Sequence, residues 1–394
     1  MGVCTSLSRD QLNQPCRTTP NKYQSTIQLH TTNSDNNNNK EHSTQINQPA
    51  KQQLPLIHID IINDIIYSPK HNSTITASQD NTCILYDNDT LQCKARLIGH
   101  TNGVNRICLD TSNQHIYTAS RDKTIRQYNL YSNTGNNNGM NTDSHDSNQL
   151  NELHSSMTYI GHTMNITGLG IDPITNNAII SGARNYKLFV HDITRTESIQ
   201  QLPVIDQNVV TSLQYLPNNK HCAVQTSEDL QLRMYDLRSN TICWSCTNGT
   251  NIPLNCTVSP DGMIIYTSHN GFDSNGCEIN SYDIRTNKQL HQYIGHTESV
   301  NGLHLVNKQY LCSSSKDSTI KLWDITSSDI DNSLLCSVTV EHAVGIPCVT
   351  GYIDEYDMNV VHMIGGTVSG CTAAYQYNTN NNTIQLQYKS QRAE

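Results

Sequence analysis

Several of the seventeen histidines in this chain stand at a near-constant distance from an acidic side chain. His58 precedes Asp80, His100 precedes Asp122 and His296 precedes Asp317, at offsets of 22, 22 and 21 residues. An imidazole beside a carboxylate is the usual equipment of general acid–base chemistry, because the ring titrates near neutral pH and the carboxylate orients it. Here the pairing recurs along the chain. The offset is 23 from His162 to Asn185 and from Asp206 to Asp229. Six residues beyond each turn residue stands a ring: Tyr86, Tyr128, His191, Tyr235 or Trp323. A second grouping, Cys243-Trp244-Ser245-Cys246, has redox or zinc spacing, but no second CxxC and no βαβ pattern accompany it, so it reads as positions on a strand. GxxxxGK before Ser or Thr, GxSxG, HExxH and a GxGxxG following a strand are all missing. The chain therefore reads as non-enzymatic, with no cofactor and no metal.

What positions these residues is a unit of about forty residues. In the clearest copy, Gly295 to Asp324, three short period-two runs are separated by turn formers: Val300, Leu303 and Leu305, then Leu311 and Ser313, then Ile320, Leu322 and Trp323. So small a sheet cannot bury its own faces, and copies must stack around an axis. The fifth copy, near 249–283, lacks the His, has Asn270 at the Asp position and a longer turn through Gly276. The seventh begins near His342, with strands expected at 346–349, 359–364 and 372–377. The expectation is an all-β fold over residues 53–390, with seven blades. A hairpin at Asn378–Asn382 would let Ile384–Tyr388 complete the last blade; its short loop and clean alternation favour it over an N-terminal strand around Gln53–Ile57.

The recurring Gly-His, Ser or Thr, Asp and Trp-Asp markers resemble the WD-repeat β-propeller family. That resemblance implies a buried hydrogen-bonded chain of His296, Ser313, Asp317 and Trp323, with His58, Asp80, His100, Asp122, His162, Asn185 and Asp229 serving the other blades. Such a chain stabilises only when every member is satisfied, so these histidines are expected to be structural.

At 394 residues the chain fits one ring plus a tail. A net charge of −9 and a pI near 6.0 speak against nucleic acid as a partner. No run of 18 apolar residues is present, and the first residues lack a secretory apolar core. Fourteen cysteines without an export signal are expected as reduced thiols in a cytoplasmic setting. Residues 1–50 are rich in Asn, Gln, Ser and Thr and read as a disordered tail. Its opening, Met1-Gly2-Val3-Cys4-Thr5-Ser6, matches the myristoylation pattern, with Gly2 as acceptor and Cys4 placed for a palmitoyl group. Residues 131–158 read as a mobile insertion in blade two.

The candidate partner surface comprises the residues just before each turn Asp, Gln79, Arg121, Arg184, Glu228, His269 and Lys316, and the loop bearing Phe272 and Asp273. Tyr235-Asp236-Leu237-Arg238 and Tyr282-Asp283-Ile284-Arg285 resemble the paired Asp-x-Arg boxes by which some propellers dock onto a cullin-type ubiquitin ligase adaptor, through Arg238 and Arg285. Stretches 161–173, 207–217, 225–238 and 269–285 are similar to a ciliary subfamily of WD-repeat scaffolds. This resemblance implies work with GTPase-activating proteins of the ELMO-domain type, at the cilium or its base.

Overall fold

The computed structural model describes residues 57–90, 92–130, 151–205, 209–247, 249–327 and 333–390. All belong to one compact unit, Gln53–Glu394. Gly2, Cys4, the rest of the 1–50 segment, Asp206 and most of the alternative closing strand at Gln53–Ile57 lie outside the described residues.

Seven sheets succeed one another along the chain, each running from an inner to an outer strand in chain order. Seven buried apolar clusters lie between them, each shared by two neighbouring blades, including one that joins Ile62 and Ile65 of the first blade to Cys348, Ile364 and Ala374 of the last. The fold is a closed seven-bladed β-propeller. Alternation explains it: each sheet buries both faces only by lying against two others.

A β-bulge near the start of the inner strand recurs in six blades and leaves Asn63, Asn105, Thr167, Thr211, Leu254 and Asn301 out of register. Freed from the ladder, four of these side chains reach sideways to the first carbonyl of the next inner strand: Asn63 to Val104, Asn105 to Ile166, Thr167 to Val210 and Thr211 to Pro253, at 2.5 to 2.8 Å. Arg106 lines the central channel and donates to the Thr167 and Thr211 carbonyls of the next two blades, both at 3.0 Å. The channel also holds Asp64 and His304 and encloses about 420 Å³.

The last blade is built from Cys348–Ile353, Val360–Gly366, Thr372–Asn378 and Thr383–Lys389, and among the described residues it borrows no strand from the N-terminal side. The seam with blade one rests instead on side chains and single hydrogen bonds. Ile62 N donates to Thr367 O at 3.2 Å, Tyr67 stacks on Tyr352 at 3.8 Å, and Tyr352 stacks on His362 at 4.5 Å. At Gly366 a Cβ would come within 2.6 Å of Ile62 and 2.8 Å of the Cys348 sulfur, so glycine is required there.

Two expectations need correction. Of the 131–158 insertion, 131–150 lies outside the described residues, but 151–158 is built: Glu152–His154 pairs parallel with the outer strand of blade one, Cys93–Ile98, and Met157–Tyr159 is the outer strand of blade two. Leu153 buries in the apolar cluster between blades one and two, which outweighs the polar character of its surroundings. The inner strand of blade seven begins at Cys348 because Ile346 is fully buried and bonded through its backbone to Ser315.

Candidate interaction face

The loops leading into each inner strand and the turns between second and third strands meet on one face. Backbone bonds join them: Gln79, Arg121, Arg184, Glu228 and Lys316 donate their N–H to Ile61, Gly103, Asn165, Val209 and Ser299, at 2.9 to 3.0 Å. Beneath them lie the polar chains. In blade six, Trp323 Nε1–H donates to Ser313 Oγ at 2.8 Å, Ser313 lies 2.8 Å from His296 Nε2, and His296 Nδ1 lies 2.9 Å from Asp317. The one consistent assignment of protons runs from Trp323 to Asp317. Blades one and two repeat it with His58, Thr76 and Asp80 and with His100, Thr118 and Asp122, at 2.7 to 2.8 Å. Burial alone would raise the Asp80 carboxyl, but the His58 hydrogen bond and charge hold it down at about 2; Asp122 and Asp317 are lowered in the same way.

Blades three and four depart from this. Asn185 gives its amide to Thr163 at 2.9 Å, and Ser181 sits between two imidazoles, His162 at 2.8 Å and His191 at 3.1 Å. The Nδ1 atoms of both rings are buried without a hydrogen-bond partner. Burial, together with the neighbouring His191, pushes His162 down to about 3, and burial pushes His191 down to about 4. In blade four Asp229 is held by Arg233, with Nη1 at 3.1 Å.

Apart from the Nδ1 atoms of His162 and His191, these are satisfied groups whose job is to fix loops, and part of the chain's pattern now has a name. Residues 91–129 and 287–324 match the WD domain, G-beta repeat. Those two segments are similar to the WD repeat. Among curated proteins it is similar to the ribosome biogenesis protein WDR12 homolog of Drosophila mojavensis, 24% identical over 66% of this chain and 60% of that protein. It is also similar to WD repeat-containing protein 37 of Mus musculus, 23% identical over 64% of this chain and 45% of that protein. A shorter match, to SPA1-RELATED 3 of Arabidopsis thaliana, is 33% identical over 28% of this chain and 14% of that protein. The chain thus spans between about half and three-fifths of the first two relatives.

Above this framework, the rim differs from the sequence reading. In blade five Asn270, not His269, donates to the lead-in carbonyl, Ile252 O, at 2.8 Å. The register is one residue later than expected: His269 pairs with Pro253 as Ser78 does with Ile62, and its ring is buried against Glu278 O at 3.0 Å. The basic ring also shrinks. Arg121 leans onto Asn105 at 3.2 Å, and Arg184 pairs with Glu228 at 3.4 Å, while Lys316 is exposed.

The blade-five loop is a small hairpin. Phe272 and Asn275 exchange backbone bonds of 2.9 and 3.0 Å around Asp273 and Ser274, both with positive φ. Ser274 N bonds Thr297 O at 2.9 Å, and Ser299 Oγ bonds Asn270 and Gly271 at 2.7 and 2.9 Å. These bonds pin it to blade six and leave Phe272 72% exposed at its tip. On the third-to-outer turns, Arg238 and Arg285 each fork onto their own Asp236 and Asp283, at 2.9 and 3.0 Å. Sequence reasoning missed Arg106 and the bulged residues; the recurrence of Asn or Thr one residue into the inner strands of blades one to four and six was the available signal.

Proposed function

We propose that this chain is a non-catalytic interaction scaffold whose contact surface is the His-bearing face, distinctive at blades four and five, and which is tethered to a membrane by acylation of Gly2 with Cys4 as a second site. WD-repeat proteins are generally protein-interaction scaffolds. The observation that carries the reading is Phe272: an aromatic held out on a fully bonded hairpin has already met its ordering cost, which is what a contact residue needs. Similarity of the middle of the chain to the WD repeat-containing protein 31 subfamily adds a cytoplasmic station at the cilium and ELMO-domain GTPase-activating proteins as partners. Proximity labelling in living cells tests the surface: Phe272→Ala should strip neighbours from the labelled set, and an unchanged set overturns it. For the tether, Gly2→Ala should lower the membrane-bound fraction in cells, and an unchanged fraction removes the tether reading.

A second reading, substrate receptor of a cullin-type ubiquitin ligase, draws on the matching exposed forks of Arg238 and Arg285. Recovery of a cullin adaptor with wild type but not with Arg238→Ala plus Arg285→Ala supports it, and no adaptor with wild type removes it.

A further inference from the structure

Because lead-in loops and second-to-third-strand turns share one face, the exposed apolar side chains they carry can be placed around the ring. Ile59 projects from blade one, Met164 from blade three, Val204 from blade four, Phe272 from blade five, Ile294 from the approach to blade six and Val344 from the approach to blade seven. Four of these are among the most exposed apolar residues described, at 68% for Ile59, 72% for Phe272, 70% for Ile294 and 79% for Val344. Only the blade-two tip, Gly99-His100-Thr101-Asn102, lacks one.

We propose that this face docks on a phospholipid bilayer, with the ring of loop tips inserted into its interfacial region. The inference rests on the contact-face and tether readings above and names what that face touches. Three observations favour lipid over a protein. Tips spread over six of seven blades can be engaged together only by something flat on the scale of the whole disc. Each tip stands among polar neighbours such as Asp60, Thr297 and Glu341, whereas a protein interface gathers its apolar residues into one continuous centre. The described chain begins at Ile57 on this same face, two residues before Ile59, with Gly2 upstream in the sequence. With a net charge of −9, attraction to anionic headgroups is not the driving force, so insertion of apolar side chains must supply the affinity.

The test uses the full chain prepared without acylation, sedimented with phosphatidylcholine vesicles. Wild type should partition to the vesicles and remain there in high salt. Combining Phe272→Ser, Ile294→Ser and Val344→Ser should weaken partition by about tenfold per residue removed, with unchanged thermal unfolding because all three are exposed. Conversely, Thr101→Ile should strengthen it, since Thr101 N bonds Asp122 as Ile59 N bonds Asp80, both at 3.1 Å. Wild type left in the supernatant, a triple variant that binds like wild type, or binding abolished by salt would each overturn the proposal. If vesicle binding fails while Phe272→Ser still strips labelled protein neighbours in cells, the face serves a protein and the scaffold reading survives alone.

Discussion

Tyr67 of the first blade and Tyr352 of the last lie face to face, with ring centroids 3.8 Å apart and planes 12° from parallel. They span the joint that closes the ring, where the inner strand of the last blade pairs with its neighbour without a bulge. Tyr352→Ala should therefore cost about 2 to 4 kcal/mol in thermal or urea unfolding, and a double-mutant cycle with Tyr67→Ala should show coupling of roughly 1 kcal/mol. Additive single effects would mean the stack contributes nothing beyond burial.

The polar chains are not equivalent. Asp317→Ala takes the carboxylate from buried His296 Nδ1, leaving it only the Thr319 hydroxyl at 3.1 Å, and should cost about 2 to 4 kcal/mol. Asn185→Ala removes an exposed contact to Thr163 and a long bond of 3.3 Å from Lys187 N, and should cost less than about 1 kcal/mol. Equal losses would contradict the reading that blade three has already given up that link.

Acid should find blade three first. His162 and His191, lowered to about 3 and about 4, stay neutral in the fold while the unfolded chain takes up protons below about 6.5. The unfolded state binds more protons, so stability is complete above that pH and falls as pH drops toward 4, by about 2 kcal/mol per histidine at pH 5. Asp80, lowered to about 2, withdraws its contribution only as pH falls from about 3.8 through 2. Hydrogen exchange at pH 5 should show Ile166–Asp192 amides opening before those of Ile62–Asp87. Simultaneous loss would count against it.

The blade-five hairpin asks two non-glycine residues to adopt positive φ. Ser274→Gly should stabilise by about 0.5 to 1 kcal/mol while leaving contacts of Phe272 unchanged. A loss of stability would mean that the Ser274 side chain matters more than its backbone.

Much of this was legible beforehand. The seven-fold recurrence, the His-to-Asp offset and the final hairpin are all local, periodic signals, and they fix the ring. What escaped notice is lateral. Asn63 and Asn105 perform the same stitching as Thr167 and Thr211, but the change of residue type hides the recurrence. Blade five was misread by one residue because Asn270 imitates the missing Asp, and only backbone pairing shows that His269 faces inward. The three-residue strand at Glu152–His154 carries one buried side chain, Leu153, too little for any periodicity to announce.

Because the last blade lends and borrows no strand among the described residues, they form seven finished sheets bent into a circle and latched at one place. Pulled at Ile57 and Ser390, it should give way at that latch and uncoil wedge by wedge, with no ladder to tear before the circle opens.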